Sequence, residues 1–167
     1  MTEKLRINVG CGPYKIRGFV NIDAMSYCDP DVIATAEHLP YESGTVDTLY
    51  AGHLIEHFYL ADTAEILHEW KRVLRVGGEC IITFPDFEKT LELFDMKAID
   101  WQEVNAIVYG KEKLEGAGEA GHHRQLATKW SIGPMMQAVF GNFEEMEECD
   151  YWPARVYWQT TLRSVKQ

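Results

Sequence analysis

Short apolar runs separated by turn residues open the chain. Residues 5–9 form the first and end at a glycine; residues 19–22 form the second and end at Asp23. Residues 32–34 and 46–51 give two more, the last preceded by Glu42-Ser43-Gly44. Runs of this length bounded by Gly, Asp and Ser predict strands. From residue 62 the period changes. Ile66, Leu67, Trp70, Val73 and Leu74 recur at helical spacing, which predicts an amphipathic helix buried along one face. Asp62 with Glu65 predicts a capping box at its start, and Gly77-Gly78 predicts a left-handed stop. Residues 80–84 read as a buried strand closed by Pro85-Asp86.

Strands this apolar, separated by crossover segments, predict a parallel sheet covered on both faces. The remainder has a different pattern. A helical stretch over 87–108 leads into a polar, glycine-rich loop over 110–121. A further helix is predicted with Ser131 as its cap, Pro134 in its first turn and Gly141 beyond its end. Residues 143–148 and 155–164 read as two strands joined by a turn. The expected architecture is α/β: seven strands, mainly parallel, with an antiparallel C-terminal hairpin at one edge. Residues 1–167 read as a single domain, with 86–130 as an acceptor-recognition or lid insertion.

Composition narrows the partners. The 167 residues are 46% hydrophobic and 25% charged, an ordinary globular balance. The net charge of −10, with scattered Lys and Arg, argues against a nucleic-acid partner, which needs a clustered basic face. No apolar run reaches the roughly 20 residues of a membrane span, and the first residues lack a signal-peptide core, so a cytoplasmic location without membrane contact is expected. Cys11, Cys28, Cys80 and Cys149 are dispersed with no CxxC pair, which predicts reduced thiols and no metal.

The first strand runs into Gly10-Cys11-Gly12-Pro13. Glycines there either form a plain tight turn or let a ligand approach the backbone at the carboxyl edge of the sheet. Asp23, ending strand two, either caps a turn or accepts both hydroxyls of a ribose. A dinucleotide fingerprint is excluded, because the third glycine is missing and Asp23 follows Gly10 by about 13 residues rather than about 20.

Three segments, INVGCGPYKIRGFVNIDA, AEHLPYESGTVDTLYAGHLIEHF and EWKRVLRVGGECIITFPD, resemble successive motifs of the class I S-adenosylmethionine-dependent methyltransferases. The resemblance is to the compact branch with a short first crossover, and covers residues 5–86. It implies a Rossmann-like fold and S-adenosyl-L-methionine as cofactor. On this resemblance Gly10, Cys11 and Gly12 pass under the methionine part, and Asp23 holds the ribose. Ala36 and Glu37 lie beside the adenine, and Ala51 and Gly52 close the site. Where many relatives carry Asp, this chain has Thr35, so the group that reads the adenine is open between Thr35, Glu37 and backbone.

His53-Leu54-Ile55-Glu56-His57 admits three readings. It matches the inverted zincin pattern, but that chemistry needs a long helix, and here the segment follows a strand directly. It is otherwise either packing and capping or, as the resemblance implies, a segment placing His53 or Glu56 on the methyl group's path. His122-His123-Arg124 is either a solvated loop or part of a lid bringing a base over the cofactor. Asp86 either orients an acceptor or caps the next helix. The catalytic candidates are therefore His53, His57, His122 and His123. The expected function is methyl transfer to a small-molecule acceptor; the alternative is a non-catalytic protein that binds the cofactor to regulate or scaffold a partner. The oligomeric state is left open.

Overall fold

Five parallel strands lead the fold: β1 (Arg6–Val9), β2 (Val20–Asp23), β3 (Val32–Ile33), β4 (Val46–Gly52) and β5 (Leu74–Pro85). Two more, β6 (Glu144–Met146) and β7 (Gln159–Val165), complete a seven-stranded sheet of order β3-β2-β1-β4-β5-β7-β6. β7 runs antiparallel to both β5 and β6, so the C-terminal hairpin lies at one edge as expected. The helices are α1 (Thr63–Val73), α2 (Phe87–Asp95), α3 (Trp101–Tyr109) and α4 (Lys129–Phe140). The computed structural model describes residues 4–110, 121–147, 149, 151 and 159–167. Most of the predicted glycine-rich loop, the turn of the hairpin and the first residues of its second strand lie outside these.

The period-2 rule sorts the strand side chains. Ile7, Val9, Leu49, Ala51, Ile82 and Phe84 join the main core with Ile66, Leu67, Trp70 and Val73 of α1 and Ile132 and Met136 of α4. The expected apolar face of α1 is therefore the one buried. Tyr50 and Ile81 point the other way and meet Phe19, Met146, Cys149 and Tyr151. The coverings of the two faces thus differ: helices on one, and on the other, loop residues held by polar contacts. Asn8 Nδ2 donates to Asn21 Oδ1 (3.0 Å) and to the Tyr14 carbonyl (3.2 Å), while Ile16 N–H donates to Asn21 Oδ1 (2.8 Å). Asn21 in turn donates through Nδ2 and its backbone N–H to Asp31, whose carboxyl those bonds hold below the usual carboxylate range. This partly buried network fixes the short crossover between β1 and β2.

Several local expectations are corrected. Asp62 does not cap α1 with its side chain, because it is already helical (φ −91°, ψ −15°), and an effective N-cap needs an extended backbone. Gly77-Gly78 does not end the helix. α1 stops at Val73 and passes straight into β5; Gly77 and Gly78 instead sit at an irregularity in the β4–β5 pairing. A Cβ on Gly78 would meet the Arg75, Val46 and Asp47 carbonyls at 2.9–3.2 Å, so close strand approach requires glycine there. The single helix over 87–108 is two helices. Lys97 has positive φ (57°), and Asp100 opens α3 with a full capping box through Glu103. Thr128 rather than Ser131 caps α4, with Ser131 as its reciprocal partner. Among the described residues no helix is long and apolar enough to cross a membrane.

Candidate active site

β1 and β4 are neighbours at the centre of the sheet, and the chain leaves β1 for one side and β4 for the other. Such a switch point opens a crevice at the carboxyl edge. Gly10 and Gly12 both adopt positive φ (68° and 50°) as the chain turns there. Gly12 N–H donates to Asp23 Oδ2 (2.8 Å), and Met25 N–H donates to Asp23 Oδ1 (2.8 Å). Each carboxylate oxygen keeps a further lone pair, and Asp23 is half-buried. The structure therefore brings the glycine turn and Asp23 together. Cys11, between the glycines, is buried and its thiol is pushed up to about 11 by burial and the neighbouring Asp23.

Ala51 and Gly52, ending β4, are buried. An open cleft of about 410 Å³ is lined by Gly10, Cys11, Tyr14, Tyr50, Gly52 and Tyr151, among others. Gly10 is closely enclosed: a Cβ would come within 2.5 Å of Leu54 Cδ1 on a backbone that disfavours L side chains. Gly10→Ala is expected to lower stability by about 1–2 kcal/mol, read as a fall in thermal midpoint. Ala36 is buried and its carbonyl accepts from Trp70 Nε1 (3.0 Å); Glu37 and Thr35 are exposed.

His53 follows β4 directly with φ 52°, a left-handed backbone uncommon outside glycine. Its N–H donates to the Thr83 carbonyl (2.7 Å), its Nε2 lies 3.1 Å from Gln159 Oε1, and its Nδ1 lies 3.5 Å from Glu56 Oε1. Residues 55–57 make one turn of 3-10 helix rather than the long helix of a zincin. Glu56 is 1% exposed. Burial pushes its carboxyl up, but His53, His57 and His123 around it outweigh that and hold it below the usual carboxylate range. Neither of its oxygens has a hydrogen-bond partner among the described residues.

The segment after the insertion returns against this turn. Arg124 N–H donates to the Glu56 carbonyl (2.8 Å), and Gln125 Nε2 donates to the Ile55 carbonyl (2.7 Å) and Thr63 Oγ1 (3.1 Å). His57 and His123 stack edge to face with centroids 5.0 Å apart, and burial pushes the His123 ring down. The His122 side chain is exposed. So His53, His57 and His123 gather around Glu56, and His122 contributes its backbone carbonyl. Asp86 resolves toward capping: Glu88 N–H and Thr160 Oγ1 donate to its two oxygens (3.0 and 2.7 Å), and the carboxylate is buried. Sequence reasoning missed Gln125 and Gln159, because no spacing rule links residues this far from the strand-four turn. It also missed Asn8 and Asn21, whose only signal was an amide inside an otherwise apolar strand.

Comparison with known proteins finds a methyltransferase domain. Residues 18–82 match the family model of a methyltransferase domain, from just past the glycine turn through most of β5. Over these residues the chain carries a methyltransferase domain. No curated protein matches it in sequence. Solved methyltransferase structures share its fold. One, from Thermotoga maritima and described as a possible histamine N-methyltransferase, is 17% identical with a TM-score of 0.62, over 100% of this chain and 84% of that one. Another, from Methanosarcina mazei, is 15% identical with a TM-score of 0.65, over 99% and 94%. A third, a Haloferax volcanii complex with the Trm112 methyltransferase activator, is 14% identical with a TM-score of 0.62, over 98% and 82%. Identities this low carry the architecture alone. The Thermotoga maritima and Methanosarcina mazei proteins are described as S-adenosylmethionine-dependent, and the turn of this chain fits such a group: two left-handed glycines, a carboxylate with spare lone pairs and an adjoining cleft.

Proposed function

We propose that this methyltransferase acts on a small-molecule acceptor entering over the carboxyl edge of β4 and β5. The observation that carries the reading is the Gly12–Asp23 hydrogen bond, which sets a carboxylate beside a left-handed glycine turn at the switch point. Gly10, Cys11 and Gly12 hold the methionine end of the cofactor against backbone, and Asp23 accepts the ribose hydroxyls. Ala36 and Glu37 flank the adenine, while Ala51 and Gly52 close the floor. Tyr14, exposed at the cleft, lies where its ring can face a sulfonium, a contribution of order 1 kcal/mol. Bound there, S-adenosyl-L-methionine supplies a methyl group already activated by its positive sulfur.

The chain's own part is orientation, water exclusion and proton removal. Glu56 faces His53 Nδ1, which favours the tautomer with the proton on Nδ1. Gln159 Oε1 lies 3.1 Å from Nε2 and only accepts, so Nε2 becomes the nitrogen that takes the acceptor's proton when the acceptor displaces that oxygen. His57 and His123 also neighbour this carboxylate, His123 Nε2 lying 3.9 Å from Oε1. The described residues of the 86–130 segment supply the wall that recognises the acceptor: Phe94 and Trp101 pack edge to face (5.6 Å) and remain exposed, as do Leu126 and Trp130. The net charge of −10 favours a neutral or cationic acceptor.

Calorimetry with S-adenosyl-L-methionine, followed by a product assay over a metabolite panel, tests the reading. Asp23→Ala is expected to weaken cofactor binding by about 1–3 kcal/mol, roughly 10–100-fold. Wild-type affinity in that variant would remove Asp23 from the site, and tight binding without turnover on any acceptor would favour the non-catalytic alternative.

A further inference from the structure

We propose that Glu56, His57 and His123 form a binding site for one divalent transition-metal ion of the zinc type. One donor atom from each lies within 4.8 Å of the others. Each ring can turn a lone pair toward the cluster. His57 Nδ1 lies 3.1 Å from the His122 carbonyl and His123 Nδ1 lies 2.8 Å from the Ile107 carbonyl. A carbonyl only accepts, so in the neutral rings Nδ1 carries the proton and Nε2 keeps its lone pair. Metal-bound imidazoles are held in this way, with the outer nitrogen donating to a backbone carbonyl.

The third donor is a buried anion. Glu56 is 1% exposed, and among the described residues neither oxygen has a hydrogen bond of ordinary length, His53 Nδ1 standing 3.5 Å from Oε1, although a buried carboxylate normally collects hydrogen bonds or a cation. Gln125 Oε1 is likewise buried without a partner, and Gln125, Glu56 and His123 line one small cavity. A cation there satisfies the carboxylate directly and gives the amide oxygen a ligand role, alone or through water. Two imidazoles and a carboxylate, without thiolate and short of the six oxygens magnesium prefers, suit zinc.

Zinc bonds of about 2.0–2.2 Å put tetrahedral donors roughly 3.4 Å apart. Starting from separations of at most 4.8 Å, the donors must draw in by roughly 1–1.5 Å, within reach of side-chain torsions. The arrangement is not that of an inverted zincin, in which both histidines of the motif bind. Here His53 reaches Gln159 instead, and His123, brought back from far along the chain, takes its place beside Glu56 and His57. The site departs from the metal-free chain that the dispersed cysteines predicted. It ties the turn after β4 to the segment that returns before α4.

The test is a cobalt(II) titration of the full chain after chelator dialysis. One equivalent is expected to give the intense visible bands of a tetrahedral ion, and zinc to displace it. Zinc is also expected to raise the thermal midpoint. Glu56→Gln and His123→Ala should each weaken cobalt binding at least 100-fold, whereas His68→Ala, at an exposed position on α1, should bind as wild type. Circular dichroism checks that the variants fold; where they do not, the wild-type bands and the zinc-induced shift decide alone. Absence of both in wild type, or unchanged binding in the two folded variants, overturns the site. S-adenosyl-L-methionine affinity, measured in parallel, reports separately on the glycine turn.

Discussion

Trp70→Ala is expected to lower stability by about 3–5 kcal/mol, the usual cost of deleting a large aromatic from a core. Trp70 is fully buried on α1 and packs with the inner residues of β1 and β4 in one cluster. For a chain of this size a loss of that order lowers the thermal midpoint by about 10 °C or more, measured by circular dichroism. Trp70→Phe keeps much of the volume but leaves the Ala36 carbonyl without its donor, and is expected to cost about 1–3 kcal/mol. Since Ala36 belongs to the proposed adenine wall, both variants should also weaken cofactor binding, Phe less than Ala. Equal stability of Trp70→Phe and wild type would show that the Ala36 bond contributes nothing.

His53→Ala should leave cofactor affinity near wild type and reduce turnover by about 10²–10⁴-fold, the range a positioned general base supplies. A second substitution separates chemistry from backbone. At φ 52° alanine keeps the left-handed strain, whereas glycine does not. His53→Gly is therefore expected to be more stable than His53→Ala by about 1 kcal/mol while losing turnover to the same degree. Steady-state kinetics on an identified acceptor, with thermal melts of both variants, reads the two effects. Unchanged turnover in either removes His53 from the mechanism.

The first half of the chain is legible because its signals are local. Runs at Ile7, Ile22 and Leu49 specify strands by themselves, and three motifs in order, over 7–24, 36–58 and 69–86, carry the resemblance to a family. Details that depend on where a neighbour sits are not legible. Gly77-Gly78 carries the usual mark of a helix stop, but the need it answers is the close passage of β4 beside β5. Asp62 has the composition of a cap, yet the turn before it already places it in helical conformation. The gathering at Glu56 is legible only in halves. The HLIEH segment and the His122-His123 pair each stand out, but their meeting depends on a return path across α2 and α3 that no periodicity encodes.

The position of β7 between β5 and β6 has a consequence for how the molecule comes into being. During synthesis β5 emerges long before its antiparallel neighbour, and its backbone groups on that side wait unsatisfied through the whole intervening stretch. A bare, apolar strand margin is a template for pairing with other nascent copies. Shortening the polypeptide within 159–165 would make that exposure permanent, and such truncated forms should collect as insoluble aggregates.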